Sequence, residues 1–224
     1  MAADSKTPKR SPGRPKDEGL QARRTEEILA AAARLFARLG YTDTDTQALA
    51  DELQVGKGTL YRYFPSKEQL FLEVVDATMR RLTAAVVEAR DAHHDPLERI
   101  AAAVRAYLAF FEANPECVEL IIQERAHFKD RKQPTYFVHR EAQLGYWQEL
   151  WQGLIAEGRV RDIPVNRITD VFSDLMYGTI FTNYFTGRRK SLAEQAEDLL
   201  DIAFQGILTD AEIRRRSGGA DPAR

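Results

Sequence analysis

The chain has 224 residues, 32 Lys and Arg against 34 Asp and Glu, a formal charge of −2, and 44% hydrophobic side chains. That length suits one large domain or two small ones, and the apolar share supports a real core, which excludes wholesale disorder. Unbroken apolar runs such as Ile28 to Ala33 fall far short of the ~18 residues a membrane span needs. Residues 1–19 lack the apolar stretch of a secretory signal, and a single cysteine, Cys117, permits neither an internal disulfide nor a Cys-x-x-Cys zinc site. These features describe a soluble protein and place it in the cytoplasm.

The near-neutral total hides an asymmetry. Residues 1–24 hold seven basic side chains against three acidic ones, a net of +4, which leaves −6 for the rest. A basic arm on an acidic body suits a polyanion met at that end only. Charge alone leaves a solvated tail equally open.

In chain order, residues 1–19 carry Pro8, Pro12, Gly13, Pro15 and Gly19 and read as a flexible lead. Ile28, Leu29, Ala32, Leu35, Phe36 and Leu39 then recur as one stripe of an amphipathic helix, which Gly40 closes. Asp45 caps a short second helix with Ala48, Leu49 and Leu53, and Gln54-Val55-Gly56 turns into a third, Lys57 to Tyr63, stopped before Pro65. Ser66 with Gln69 is a capping box opening a long helix to about residue 90. Asp95-Pro96 with Glu98 repeats the device, and Asn114-Pro115 opens a helix in the same way. Pro134 splits the next stretch into about 115–130 and 134–157, with Gly158 as the stop. Asn166 caps a helix to about residue 186, and Ser191 with Glu194 caps the last, to about residue 208. The pattern is all-α, about nine helices, with no internal repeat.

The third helix carries the functional signal. Lys57, Gly58, Thr59, Tyr61, Arg62 and Tyr63 crowd hydrogen-bond donors into two turns, while Leu60 and Phe64 are spaced to anchor them. Such heads suit phosphate oxygens, and Gly58 lets backbone come close to base edges. A purely structural helix remains the other reading of these residues, but a solvated face would more cheaply carry Glu and Lys than two exposed tyrosines.

Gly40-Tyr41-x-x-Thr44, Leu49-Ala50, Val55 and the run Gly58-Thr59-Leu60-Tyr61-Arg62-Tyr63-Phe64-Pro65-Ser66-Lys67-Glu68-x-Leu70 resemble the TetR/AcrR family of bacterial transcriptional regulators. The match is dense over about 25–72, and a run this long is highly specific. The resemblance implies an all-α protein with a basic arm (1–21), a helix-turn-helix DNA-binding domain (22–82), a helical regulatory and dimerisation domain (83–210) and a disordered tail (211–224). It implies a major-groove recognition helix over about 57–63. Lys57 and Gly58 fall where the family meets bases, and Thr59, Tyr61, Tyr63 and Lys67 fall where it meets phosphates. Thr44, Asp45, Thr46 and Arg62 complete the implied DNA-contacting set. This chain departs from the family pattern at Gln54, often Gly, at Gly56, usually a Ser or Thr cap, and at Asp45-Thr46. Gln54 must therefore accept a strained or left-handed conformation. In the lead, Gly13-Arg14-Pro15-Lys16 resembles an AT-hook core, with Arg14 and Lys16 as minor-groove candidates.

The family resemblance also implies a homodimer through the last two helices, with Phe172, Leu175, Ile180, Leu199 and Phe204 as candidate interface residues, though burial within one chain would use them equally well. It implies a pocket among the middle helices for a small effector of unknown identity, with Phe110, Phe111, Phe128, Trp147 and Trp151 as candidate lining. The expected protein is a repressor released from a double-stranded DNA operator by an apolar or aromatic effector. The alternative is a protein of the same fold that answers to a protein partner. No Gly-rich phosphate loop, His-Glu-x-x-His or Gly-x-Ser-x-Gly occurs, so no enzyme, cofactor or metal is expected. His93-His94-Asp95 reads as a turn ending in a helix cap, and Cys117 reads as a small buried residue.

Overall fold

The computed structural model describes residues 18–205. Within them the chain forms nine helices and no strand: α1 (Glu18–Asp43), α2 (Thr46–Glu52), α3 (Lys57–Tyr63), α4 (Lys67–Asp91), α5 (Pro96–Ala113), α6 (Glu116–His127), α7 (Thr135–Ala156), α8 (Val165–Thr186) and α9 (Leu192–Gln205). No helix of the described residues is long and apolar enough to cross a membrane.

The caps follow the sequence closely. Asp45 accepts from the Gln47 amide, Ser66 from the Gln69 amide, and Asp95 from the Leu97 and Glu98 amides. At α9 the box is reciprocal: the Glu194 amide donates to Ser191 Oγ at 3.1 Å, and the Ser191 amide donates to Glu194 Oε2 at 2.8 Å. Gly40 breaks α1 with φ +83°, which only glycine adopts cheaply, and Gly158 ends α7 with φ +69°.

Several expectations shift. Helix α1 starts at Glu18, inside the expected flexible lead, because nothing after Pro15 breaks a helix except Gly19, which a first turn tolerates. Leu39, expected on the buried stripe, is 42% exposed. Asn114 does not cap α6 with its side chain; its amide donates to Phe110 O and its oxygen accepts from Arg81. Nor does Asn166 cap α8, which begins one residue earlier, behind Pro164. The start of α7 is capped from a distance. Buried Glu124 of α6 accepts from the Thr135 amide at 3.0 Å and from Thr135 Oγ1 at 2.7 Å, replacing the cap that Pro134 cannot supply.

Apolar burial gathers into clusters whose seam lies inside α4. Phe36, Leu49, Leu60, Leu70, Phe71 and Val75 join α1 to α4 in one cluster, to which α6 adds Leu120. From Met79 onward α4 belongs to a second cluster with Leu108, Phe111, Val118, Ile180 and Ala196. One continuous helix therefore packs in both. Helix α6 adds a second tie, because Gln123 Nε2 donates to Phe36 O of α1 at 3.0 Å.

Candidate nucleic-acid interface and regulatory cavity

Helices α2 and α3 meet through a turn that ends in an extended residue. Gln54 takes φ +53°, the left-handed conformation its position demanded, and the Val55 amide donates to Ala50 O at 2.9 Å. Gly56 then opens α3 without any side-chain cap. Leu60 and Phe64 are buried and fix the helix to the first cluster, which turns Lys57, Gly58, Tyr61 and Arg62 outward. Open space lies around Gly58, so its backbone is accessible from outside.

Each neighbour of this face has a defined task. Tyr61 Oη lies 3.0 Å from Thr46 Oγ1, which holds the ring at the helix surface while leaving it 36% exposed. Asp45, besides capping α2, sits 3.7 Å from Lys57 Nζ and partly neutralises it. Arg24 donates to Leu53 O at 3.1 Å and ties the start of α1 to the end of α2. Lys67 donates to Thr42 O at 2.8 Å and lies over the Tyr41 ring, fastening the turn after Gly40 to α4. Burial, and then the charge of Glu68, raise the Tyr41 hydroxyl above its ordinary range.

Two members of the expected DNA-contacting set are not surface groups. Thr44 is buried with Oγ1 donating to Gly40 O at 2.6 Å, and Thr46 is buried against Tyr61. Both hydroxyls are engaged within the fold, so these residues support the face. Asp45, Lys57, Gly58, Tyr61 and Arg62 are exposed, with Thr59, Tyr63 and Lys67 half-buried beside them. Arg14 and Lys16 lie outside the described residues.

The regulatory half holds a cavity of about 140 Å³ between α4, α5, α7 and α8. Of the five expected aromatics, Trp147 and Trp151 line it. The other three pack elsewhere because their helices turn them away. Phe110 and Phe111 sit in the second core cluster, where Arg81 covers Phe110, and Phe128 stacks on Phe71 beside Tyr41. The cavity's polar lining includes His139, which hydrogen-bonds Asp76 at 2.8 Å, and Arg140, which lies 3.7 Å from Asp170. Tyr107 and Tyr136 share a hydrogen bond of 2.9 Å between their hydroxyls. Burial pushes the Tyr136 hydroxyl up to about 12 and drives Tyr107 well above its ordinary value, so both stay protonated at neutral pH.

Of the candidate interface residues, Ile180 is 1% exposed and belongs to the core of its own chain, which corrects its assignment to an outer face. Phe172 packs on Trp151, and Leu199 is half-buried. Leu175 and Phe204 are exposed, and with them Val171, Phe185 and Ile202, three large apolar groups that the periodicity of α8 and α9 had not separated from the core-facing ones. Cys117 is buried as expected, and burial, followed by the Glu116 charge, pushes its thiol up to about 12. Among the described residues no group of three or more His, Cys, Asp or Glu side chains could hold a metal ion. Asp95 instead caps α5 and receives Arg159 at 2.6 Å.

Residues 28–74 match the family model for bacterial regulatory proteins of the tetR family. The nucleoid occlusion factor SlmA of Vibrio vulnificus is 31% identical over 110 residues, 49% of this chain and 56% of that protein, so the matched stretch spans little more than half of the relative. The HTH-type transcriptional repressor KstR2 of Mycolicibacterium smegmatis is 27% identical over 188 residues, 83% of this chain and 91% of that one. The crystal structure of the transcriptional regulator FadR from Bacillus subtilis in complex with stearoyl-CoA superposes with a TM-score of 0.66 at 16% identity, covering 82% of this chain and 99% of that one. That likeness is one of fold.

Proposed function

The chain belongs to the tetR family of bacterial regulatory proteins, and from that premise we propose that it is a dimeric, sequence-specific DNA-binding repressor released from its operator by a small apolar effector. The observation that carries the DNA reading is the outward face of α3, where Lys57, Gly58, Tyr61 and Arg62 stand on the buried anchors Leu60 and Phe64. In the major groove, Lys57 and the open backbone at Gly58 meet base edges. Thr59, Tyr61, Tyr63 and Lys67 meet phosphates, which positions the helix without adding sequence information.

A second copy, joined through α8 and α9, supplies the other recognition helix, about one DNA turn or ~34–36 Å away. Val171, Leu175, Phe185, Ile202 and Phe204 form the apolar surface that such a contact would cover.

Helix α4 couples the two halves. Its early residues, Leu70 to Val75, pack under α1 and α3, while Met79, Leu82, Thr83, Val86 and Val87 line the cavity. An effector that favours a different α4 position by a few kcal/mol shifts the recognition helices off groove spacing. A cavity lined by Trp147 and Trp151 supports a small molecule over a protein partner as the signal. The FadR neighbour, solved with stearoyl-CoA, supports the same choice.

The test is fluorescence anisotropy of a labelled duplex from the region upstream of the protein's own gene. Wild type should bind with a Kd of roughly 10⁻⁸ M or tighter at physiological salt. Lys57→Ala and Tyr61→Ala should each weaken binding by about 5- to 200-fold. Equal binding by wild type and both variants would remove α3 from the interface.

A further inference from the structure

The cavity between α4, α5, α7 and α8 is lined mainly by apolar side chains, and alongside Thr83, His139, Arg140, Gln143, Thr169 and Ser173 it holds the Tyr107–Tyr136 hydroxyl pair. A phenol carries one proton to donate, so two hydroxyls joined by one hydrogen bond leave a second proton over. Both residues are buried, at 7% and 5% exposure, and both line the cavity, yet no other hydrogen bond from either hydroxyl exists among the described residues. A buried donor without an acceptor is destabilising, and ionisation is no escape because burial keeps both phenols protonated. Arg140 lines the same cavity, and its positive charge reaches both hydroxyls.

We infer that the effector is an apolar molecule bearing a carbonyl or carboxylate oxygen, which accepts a hydrogen bond from the free hydroxyl of the Tyr107–Tyr136 pair inside the cavity. This deepens the effector reading proposed above and rests on it. The body of the ligand lies against Met79, Leu82, Val86 and the two tryptophans. A saturated hydrocarbon of the same shape would fill that space but leave the proton unsatisfied.

The sequence holds two tryptophans, Trp147 and Trp151, and both line the cavity, so intrinsic fluorescence of the full chain reports its occupancy directly. The probes are 2-octanone, octanoate and 1-chlorooctane, titrated without DNA. At least one of the two oxygen-bearing probes should change the fluorescence saturably and bind about 10-fold or more tighter than 1-chlorooctane. Either hydroxyl alone could still donate, so the informative variant is the double change Tyr107→Phe with Tyr136→Phe. Removing both partners at constant shape should leave the thermal midpoint unchanged or higher. In that variant the preference should shrink to within about 3-fold.

Wild type and Arg140→Gln together separate the two ligand sources. Octanoate binding that is present in wild type and lost in Arg140→Gln identifies a carboxylate, whereas a wild type that binds 2-octanone but not octanoate, with 2-octanone binding unchanged in Arg140→Gln, identifies a neutral carbonyl. The inference is overturned if wild type binds 1-chlorooctane as tightly as the others, if the double variant keeps the preference, or if no probe saturates. DNA affinity measured separately on wild type shows whether such a failure concerns the ligand alone or the regulatory reading as a whole.

Discussion

Helices α3 and α8 both bury one side and present the other to solvent, but what they present differs in kind. The outer face of α3 shows Lys57, Gly58, Tyr61 and Arg62, hydrogen-bonding heads on a short helix. The outer face of α8 shows Val171, Leu175 and Phe185, the last 68% exposed. A face of Lys, Arg and Tyr heads, with no carboxylate on the helix itself, suits a ligand rich in phosphate and base edges. Exposed apolar groups of this size suit another protein surface, because burying them removes apolar area from water. The contrast separates the two surfaces by chemistry before any partner is in place.

That contrast can be broken most forcefully at α8. Leu175→Glu combined with Phe185→Glu should split the proposed dimer and cost about 10²- to 10⁴-fold in DNA affinity, since the two half-sites would no longer be linked. Sedimentation and anisotropy on one sample check both parts, and a variant that sediments as wild type would refute the pairing. Next in size is Leu60→Ala, which removes the anchor under the polar face and should cost about 2–5 kcal/mol of stability in chemical denaturation.

Smaller effects sharpen the same contrast. Gln54→Gly relieves a left-handed residue and should stabilise the chain by up to about 1 kcal/mol, with DNA affinity unchanged. Asp45→Asn keeps a capping side chain but frees Lys57 and removes a negative charge beside the proposed phosphates. Its expected outcome is DNA binding tighter by about 3-fold, with the salt dependence steeper by up to about one phosphate contact.

The helix starts and the recognition helix were legible because they rest on local chemistry. Asp45, Ser66, Asp95 and Ser191 cap as their positions require, and the run from Lys57 to Tyr63 forms the helix its anchors imply. The aromatic lining of the cavity was only partly legible. Trp147 and Trp151 line it, but Phe110, Phe111 and Phe128, equally aromatic and on neighbouring helices, pack elsewhere. Composition cannot tell a core phenylalanine from a cavity one, because both reflect the same preference for leaving water. Thr44 and Thr46 failed as surface groups for a related reason: a threonine hydroxyl serves a turn carbonyl or a tyrosine as readily as a phosphate.

By itself the sequence determined an all-α chain, the ends of most helices and a donor-rich third helix, since caps, turns and i, i+4 anchors act over a few residues. Only the tertiary structure decided that α4 serves two cores, that Glu124 caps α7 from α6, that Ile180 faces inward while Leu175 faces out, and that Tyr107 and Tyr136 share one hydrogen bond. Those facts join residues far apart in the chain, and their relative orientation is set by how helices pack, which no local pattern encodes.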